Sequence, residues 1–282
     1  MVTHPLPDKE QIHARYQDSF YSPAGERFSK SAERVCRFFR IKRASYVERV
    51  LGRKGSILDV GCGRGIMIHE LHKRGWQVAG TQVSATAGSF IRKTFGIDCF
   101  IGELPHASFS RHSFDIVTMW HVLEHLPDPL LYLRCCRGLV RPGGYLLIEV
   151  PNAASWSARM TKTAWMGWDP LHHMHHYTPS TVRLALHKAG FSPISWDFLS
   201  WEYGPFTTLQ SILNLFVRRN ALFEHMSIAN HRMGALRRGH GQGWGLFLQA
   251  FFAAVPALFI SIFSAACGCG EVIRVIAQAT DA

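Results

Sequence analysis

Three alternate glycines in the run DVGCGRG form the first candidate site. Gly61, Gly63 and Gly65 follow a short apolar stretch that contains Asp59, and glycines at such a point allow the backbone to approach a ligand closely. The spacing lacks the third glycine of the dinucleotide fingerprint, because Ile66 stands there, and the G-K-[ST] of a P-loop is absent. The loop is therefore a candidate site for a ligand other than a pyrophosphate, with a plain tight turn as the alternative.

Histidine side chains form the second candidate site, because an imidazole can exchange a proton near neutral pH. His121 follows a predicted strand, and Glu124 and His125 come soon after it. His173 belongs to the imidazole cluster LHHMHH, which Trp168 precedes. Acid–base chemistry and ligand-pocket lining are one interpretation, and structural histidines with satisfied hydrogen bonds are the other. A metal site is disfavoured, since no cysteine or carboxylate cluster with ligand spacing accompanies the imidazoles.

Alternating strand and helix patterns position both candidate sites. Short apolar runs alternate with helices of about ten residues, which predicts an α/β fold with a parallel sheet covered on both faces. The glycine loop follows the first strand and His121 follows the fourth, so both are expected at the carboxyl edge of the sheet. Strands are predicted at residues 56–60, 76–81, 99–101, 114–120, 144–150, 191–199 and 271–279, and helices at 26–51, 66–74, 85–95, 129–140 and 178–189.

These elements predict four segments along the chain. An N-terminal basic helical segment covers residues 1–55, and the core of the sheet covers 56–203. A helical, apolar insertion covers 204–270, and residues 271–282 return to the core as the final strand. The insertion therefore separates the last strand from the rest of the sheet.

Four ordered motifs resemble those of the class I S-adenosylmethionine-dependent methyltransferases, and more narrowly of the branch that contains the ubiquinone-biosynthesis O-methyltransferases. The motifs are DVGCGRG, FDIVTMWHVLEHLPDP, RPGGYLLIEVPN and LHHMHHYTPSTVRLALHKAGF. The resemblance implies a Rossmann-like, seven-strand sheet whose last strand is antiparallel, and S-adenosylmethionine as cofactor. It also implies that Asp59, Gly61 and Gly63 contact the methionine and ribose part of the cofactor, and that Glu103 and Leu104 lie beside the adenine.

Two positions depart from the pattern of this family. Gln82 stands where the family has a carboxylate that accepts both ribose hydroxyls, and a neutral amide forms weaker hydrogen bonds, so a lower cofactor affinity is expected. The ubiquinone enzymes carry Glu-x-x-Glu-His, a set implicated in binding a divalent cation, where this chain has His121 in place of the first Glu. Hard cations prefer oxygen ligands, so we expect no metal. The resemblance makes His121, His125 and His173 the candidate catalytic residues on the side of the methyl acceptor.

An uncharged apolar run at residues 246–266 dominates the insertion. A helix of this length would just cross a hydrocarbon core of about 30 Å. Pro256 interrupts its middle, and the last strand must return to the same sheet, so a single crossing is disfavoured. We expect this helix to pair with residues 206–217 as an arm on the membrane surface, or else as a helix pair packed on the protein or in a dimer. Basic residues expected to face anionic headgroups are Arg218, Arg219, Arg232, Arg237 and Arg238.

Composition bounds the remaining possibilities. The 282 residues are 47% hydrophobic, which excludes intrinsic disorder, and 31 Lys and Arg against 20 Asp and Glu give a formal net charge of +11. The surplus lies in residues 1–56 and 205–245, which we expect to face an anionic membrane surface, and no nucleic-acid motif accompanies it. Seven cysteines without a C-x-x-C pair and an N-terminus without an export pattern predict a cytoplasmic protein with peripheral or monotopic membrane contact.

The leading functional hypothesis is methyl transfer, at oxygen, to a lipid-linked, quinone-like or glycan-lipid acceptor at the membrane surface. A soluble methyltransferase for a small-molecule metabolite is the second hypothesis. A non-catalytic binding protein with a degenerate cofactor pocket is the third, and Gln82 is the residue that suggests it.

Overall fold

The computed structural model describes residues 30–169, 172–226 and 242–280. Helices are α1 (Lys30–Leu51), α2 (Ile66–Lys73), α3 (Ala85–Phe95), α4 (Pro129–Leu139), α5 (Trp156–Thr161), α6 (Pro179–Lys188), α7 (Gly204–Leu213), α8 (Ala221–Met226) and α9 (Gln242–Ala266). Strands are β1 (Ser56–Val60), β2 (Gln77–Gln82), β3 (Asp98–Ile101), β4 (Phe114–Trp120), β5 (Val140–Pro151), β6 (Phe191–Asp197) and β7 (Val272–Ala279).

The strands form one seven-stranded sheet in the order β3-β2-β1-β4-β5-β7-β6. Strand β1 pairs in parallel with β2 on one side and with β4 on the other. Strand β7 is antiparallel to both of its neighbours, β5 and β6. The predicted α/β class and the antiparallel last strand are therefore confirmed, and the reversal of strand order beside β1 opens a crevice at the carboxyl ends of β1 and β4.

Helix boundaries follow capping residues that are legible in the sequence. Asp128 begins α4, where its carboxylate accepts a hydrogen bond of 3.0 Å from the backbone N–H of Leu131. Thr178 begins α6 in a reciprocal capping box with Thr181. Gly96 ends α3 in the left-handed region with φ 66°. These helices accordingly lie within one or two residues of their predicted limits.

Apolar side chains cover both faces of the sheet. Every residue of β1 is buried, as expected for a central parallel strand. Leu58 and Val117 pack into a core on one face, whereas Ile57 and Ile116 pack into a second core on the other face. Adjacent residues of one strand therefore enter opposite cores, and the crevice at the strand ends has a rigid floor.

The insertion folds as helices that pack against one another. Helix α7 ends at Leu213, earlier than predicted, and Leu215 and Phe216 are exposed in the turn that follows. The prediction that Pro256 interrupts the second helix was wrong, because α9 continues through this residue. Proline lacks only one helical N–H, and α9 is held by packing on both sides of Pro256, at Ala250 and Ser261.

Helix α9 is, within the described part of the chain, the one helix with the length and composition to cross a membrane. The segment Gly245–Ala266 has a mean hydropathy of 2.2, and 11% of its most apolar stretch is buried inside the protein. Of the basic residues expected at headgroups, Arg232, Arg237 and Arg238 lie outside the described residues.

Candidate functional site

A cavity of about 430 Å³ opens at the carboxyl ends of β1, β2 and β4. Its size suits a ligand of drug-like or cofactor dimensions. All nine residues predicted as cofactor-binding or catalytic lie in its lining, although they come from distant parts of the chain: Asp59, Gly61, Gly63, Gln82, Glu103, Leu104, His121, His125 and His173. The fold thus brings the two candidate sites of the sequence into one space.

The glycine loop needs its glycines. Gly61, Gly63 and Gly65 have φ values of 66°, 58° and 69°, in the left-handed region that favours glycine. A Cβ at Gly61 would meet the side chain of Val122 at 2.7 Å, whereas a Cβ at Gly63 would meet no described atom within 4 Å. The Gly63 position therefore borders the open cavity, and any side chain there would take space from a ligand.

Asp59 presents a buried carboxyl group at the floor of the cavity. The hydroxyl of Thr118 donates a hydrogen bond of 2.6 Å to Asp59 Oδ1. Burial raises the pKa of Asp59 to about 7, against the opposing effect of the Thr118 hydrogen bond. The carboxyl group is thus poised to ionise when a cationic ligand group comes within reach.

Gln82 connects the end of β2 to the glycine loop. Its Nε2 donates to the carbonyl of Gly63 at 3.2 Å, and its Oε1 accepts from the backbone N–H of Ser84 at 3.2 Å. Both ends of the amide are engaged by the protein itself. A ribose hydroxyl would share these atoms with the backbone, and the lower affinity relative to a carboxylate stays a prediction.

Glu103 and Leu104 close the cavity on the side of β3. Leu104 is buried in a short 3₁₀ turn, and its side chain belongs to the same core as Tyr132. Burial, followed by the charge of Glu103, raises the pKa of the Tyr132 phenol well above its usual range. An apolar wall beside a carboxylate is consistent with the adenine position that the resemblance implies.

His121 is held between two buried carboxylates. Its Nδ1 lies 3.2 Å from Glu124 Oε1, and its Nε2 lies 3.0 Å from Glu149 Oε1. Burial lowers the pKa of the imidazole, but hydrogen bonds to the two carboxylates outweigh it and raise the pKa to about 9. The ring is therefore an imidazolium at neutral pH, and the geometry does not favour it as a proton acceptor.

The same charge cluster extends away from the cavity. Arg274 on β7 donates to Glu149 Oε2 at 2.7 Å and to Asp197 Oδ2 at 2.7 Å. Although burial opposes ionisation, Arg274 and His121 hold the pKa of Glu149 well below its usual range. The backbone of His121 has φ 54°, which is unusual for a residue other than glycine, and its N–H donates to the Glu149 carbonyl at 2.8 Å. Hydrogen bonds thus determine the position of this side chain from three directions.

His125 and His173 face each other across the cavity wall. Their ring centroids are 4.8 Å apart. His125 Nδ1 lies 2.9 Å from the carbonyl of His172, and His173 Nδ1 lies 3.1 Å from the carbonyl of Gly167. A carbonyl only accepts, so each Nδ1 carries the proton and Nε2 is the basic nitrogen of each ring. Burial lowers the pKa of His125 to about 4, so this ring is neutral at physiological pH.

Glu124 joins the two histidine segments. Its backbone carbonyl accepts hydrogen bonds from the N–H groups of Met174, at 2.8 Å, and His175, at 3.1 Å. These bonds hold the loop of His173 against the end of β4. Hydrogen bonding to His121 and nearby imidazoles lower the pKa of its carboxyl group to about 2 against the effect of burial. Among the described residues, no hydrogen-bond donor reaches its buried Oε2 atom.

Glu124, His125 and His173 also place three potential metal ligands within 4.8 Å of one another. Two imidazole nitrogens and one carboxylate oxygen suit a borderline divalent cation such as Zn²⁺ better than Mg²⁺. A further imidazole nearby, that of His121, is engaged by carboxylates on both ring nitrogens. The absence of a metal accordingly stays a prediction.

Sequence reasoning missed the contribution of α1 to the cavity. Arg43 lines the cavity and pairs with Glu202 at 2.7 Å, and its guanidinium lies 4.7 Å from the ring of Trp120. This part of the basic N-terminal segment therefore faces inward and not toward an outer surface. The spacing of basic residues along α1 carries no signal for this orientation.

The insertion and the residue before it supply a further wall that sequence reasoning did not assign. The ring of Tyr203, the last residue before the insertion, contacts the ring of His121 at a centroid distance of 3.9 Å with an angle of 42° between the ring planes. Thr207 on α7 and Phe223 on α8 also line the cavity. A weak signal was present in the sequence, since an aromatic residue immediately precedes the insertion.

A family model described as a methyltransferase domain matches residues 28–195. The match covers more than half of the chain and includes the glycine loop, β4 and the histidine segments. The chain belongs to the class I S-adenosylmethionine-dependent methyltransferases. Membership confirms the resemblance seen in the sequence and assigns S-adenosylmethionine to this methyltransferase as its cofactor.

Curated relatives of this methyltransferase include ubiquinone biosynthesis O-methyltransferases. The protein from Vibrio cholerae is 32% identical in an alignment of 126 residues that covers 39% of this chain and 48% of the relative. The protein from Coxiella burnetii is 29% identical in an alignment of 154 residues that covers 51% of this chain and 63% of the relative. The chain thus spans about half to three fifths of the length of these relatives.

Solved structures agree on the fold. The 1,6-didemethyltoxoflavin-N1-methyltransferase of Burkholderia thailandensis, with bound S-adenosylhomocysteine, matches with a TM-score of 0.58 at 13% identity, covering 99% of this chain and 94% of that one. The [4+2]-cyclase SpnF matches with a TM-score of 0.54 at 17% identity, covering 86% and 81%. The TM-scores show that this methyltransferase shares the fold of these proteins. At identities this low, the comparison assigns no acceptor.

Proposed function

We propose that the chain transfers a methyl group from S-adenosylmethionine to an oxygen of a lipid-linked, quinone-like or glycan-lipid acceptor at the cytosolic membrane surface. The observation that carries the proposal is one cavity with two unlike halves. The glycine loop with Asp59 forms one half, and His125 and His173 form the other beside the insertion. The insertion also carries the exposed apolar helix α9, which favours an acceptor that partitions into a membrane.

The residues of the chain provide alignment and a destination for a proton. S-adenosylmethionine, when bound, would supply an activated methyl group: the acceptor oxygen would form a bond to the methyl carbon, and the sulfur would keep the electron pair of the bond that breaks. The geometry supports Asp59 and the glycine loop as the groups that orient the cofactor. The hydroxyl proton of the acceptor goes to Nε2 of His125 or His173, the basic nitrogen of each ring.

His121 then has a positioning role in place of the proton-accepting role expected from its place after β4. As an imidazolium it balances the charges of Glu124 and Glu149. Glu124 in turn holds the loop of His173 through its backbone carbonyl. Loss of the imidazolium would therefore shift the histidine pair relative to the glycine loop.

Transfer of a labelled methyl group tests the proposal. The purified full chain is incubated with methyl-labelled S-adenosylmethionine and either membrane or soluble extract. Label in a product that partitions into organic solvent, formed from membrane extract, is expected. Label confined to a water-soluble product would support the small-metabolite alternative. Absence of S-adenosylmethionine binding in calorimetry at millimolar cofactor would reject the enzyme and favour the scaffold hypothesis.

A further inference from the structure

The burial pattern of helix α9 is the inverse of that of a surface helix in a soluble protein, in which the large apolar side chains are buried. Its buried stripe consists of small residues, Ala250, Ala257, Ser261 and Ser264. Its exposed surface consists of large apolar side chains, and no charged residue occurs between 245 and 266. A helix that is apolar on all sides is normally covered on all sides. The exposed members are Phe247, Leu248, Phe251, Phe252, Val255, Leu258, Phe259, Ile262 and Phe263.

Helix α9 packs against helix α7 near both of its ends. Near the beginning of α9, Ala250 packs with Leu213 at the end of α7. Toward the end of α9, a Cβ at Gly204, the first residue of α7, would meet Ser261 Oγ at 2.7 Å. The two helices therefore lie antiparallel and in close contact, and α9 lies along the surface of the catalytic unit.

The placement of α9 indicates whether this helix would span a membrane or lie in the plane of one leaflet. Helix α7 follows β6 and α9 precedes β7, so both ends of the insertion return to one sheet. Lipid would surround a spanning helix, whereas one stripe of α9 is occupied by protein from Ala250 to Ser264. The geometry fits a helix that lies in the plane of one leaflet.

Basic and amphipathic side chains border the exposed surface. Arg218 and Arg219 are exposed directly after the exposed pair Leu215 and Phe216. On the other side, the ring of Trp156 lies 5.4 Å from that of Phe263, and Arg159 and Lys162 of the same segment are exposed. Cationic groups and a tryptophan beside an apolar surface suit the headgroup region of an anionic bilayer.

The charges beside the apolar side chains favour a bilayer over a second copy of the chain. At 3.6 residues per turn, residues four apart differ by about 40°, so Phe251, Val255, Phe259 and Phe263 form one face that spans about 120°. A second copy seated on this face would bring the same cationic border with it, whereas anionic headgroups would complement that border.

We propose that α9 is an in-plane anchor in one leaflet of an anionic bilayer, and that the acceptor reaches the cavity from that leaflet past α7. Helix α7 lies between the two spaces, because Thr207 lines the cavity while Phe206 and Leu209 pack toward α9. One helix, about 10 Å across, thus separates the anchor from the cavity. The route of the acceptor rests on the proposed function, whereas the anchor does not.

Vesicle flotation tests the anchor. The full chain is mixed with vesicles of phosphatidylcholine that contain about one third phosphatidylglycerol, and the fraction of protein that floats with the vesicles is measured. The variant Phe251→Ser, Phe252→Ser, Phe259→Ser changes the side chains that are 73%, 69% and 68% exposed. We expect the wild-type chain to float. The partitioning of the variant into vesicles should be more than tenfold weaker, because the substitutions remove apolar surface that would be buried in lipid. High salt should weaken binding without abolishing it.

A matched control removes exposed apolar groups elsewhere. Leu184→Ser with Ile194→Ser changes side chains that are 56% and 55% exposed on α6 and β6, and it should float like the wild type. Phe252→Asp is a second, single change that should also abolish flotation. Circular dichroism and S-adenosylmethionine calorimetry show that each variant is folded. A wild-type chain that stays in the soluble fraction, or a stable dimer that the triple variant converts to monomer, would overturn the anchor.

Methyl transfer tests the route separately. Label incorporation into intact membrane vesicles should fall by the same factor as partitioning in the triple variant, while incorporation into a detergent extract of the same vesicles is unchanged. Equal activity of wild type and variant on intact vesicles would overturn the route. If neither protein labels any extract while both bind S-adenosylmethionine, the proposed acceptor class is wrong and the flotation result stands by itself.

Discussion

His121 Nε2 lies 3.0 Å from Glu149 Oε1, and the side chains of the two residues are 14% and 1% exposed. The contact converts a histidine from a base into a permanent cation at neutral pH, because two carboxylates stabilise its charged form. The backbone of His121, with φ 54°, is held by the same residue, since the His121 N–H donates to the Glu149 carbonyl. Because the charged pair forms only in the folded protein, it should make the folding stability depend on pH.

Stability should fall as the pH rises from about 6.5 to about 9. The pKa of His121 is raised to about 9 in the folded protein, so the folded state binds more protons than the unfolded state in this range. The stabilisation is complete below the ordinary pKa and is lost as the pH passes the folded value, with a limit of about 3 kcal/mol. Urea denaturation at several pH values measures it. His121→Asn should be less stable throughout and should show a flatter slope; an unchanged slope would contradict the ion pair.

His173→Asn should lower turnover by about 10² or more, because general bases contribute about 10² to 10⁴ in rate. Asparagine can keep a hydrogen bond to the Gly167 carbonyl but cannot accept the proton. Labelled methyl transfer and calorimetry with S-adenosylmethionine separate turnover from cofactor affinity, which should stay constant. His187→Asn, at an exposed position of α6, is the matched control and should leave both unchanged. Loss of cofactor binding in His173→Asn would place this residue in the cofactor half.

Gly63→Ala should weaken binding of S-adenosylmethionine, because the added Cβ points into space that no described protein atom occupies within 4 Å. Gly96→Ala provides a control with matched backbone strain, since Gly96 has φ 66° against 58° for Gly63 and an equally open surrounding. Calorimetry measures both variants. Both should lose about 1 kcal/mol of folding stability, and only Gly63→Ala should lose cofactor affinity. Equal affinities would remove the glycine loop from the cofactor site.

Gln82→Asp should tighten binding of S-adenosylmethionine by roughly fivefold. A carboxylate accepts hydrogen bonds from hydroxyls more strongly than an amide does, by about 1 kcal/mol. Aspartate is also shorter than glutamine, which keeps its charge away from the Gly63 carbonyl that Gln82 now contacts. Gln77→Asp makes the same change at the exposed start of β2 and should have no effect. Weaker binding in Gln82→Asp would show that the connection to the glycine loop matters more than the ribose contact.

Chelation of divalent cations should leave methyl transfer unchanged. The charge of Glu124 is already balanced by His121 at 3.2 Å, so the site has no need of a cation to neutralise this carboxylate. The measurement is activity after dialysis against EDTA, with elemental analysis of the protein. Loss of activity that Zn²⁺ or Mn²⁺ restores, together with stoichiometric metal, would instead make Glu124, His125 and His173 ligands.

Local patterns in the sequence were sufficient to predict the succession of strands and helices and to locate the glycine loop. These features depend on neighbours a few residues away, so the sequence alone carries the information. The antiparallel last strand and the cofactor contacts of Asp59, Gly61 and Gly63 were instead implied by the family resemblance, and those contacts stay a prediction. The basic flanks and the apolar run at residues 246–266 were equally visible, because charge and hydropathy are properties of composition.

Tertiary structure alone decided the environment of the histidines in the cavity. His121 follows β4, Glu149 lies on β5 and Arg274 lies on β7, and only their packing turns a candidate base into an imidazolium. Arg43 belongs to a helix whose sequence resembles an ordinary basic surface helix, yet its side chain is only 14% exposed and contacts Trp120 and Glu202. The pKa of a buried group and the burial of one face of a helix both depend on residues distant in the chain, and no local pattern encodes those distances.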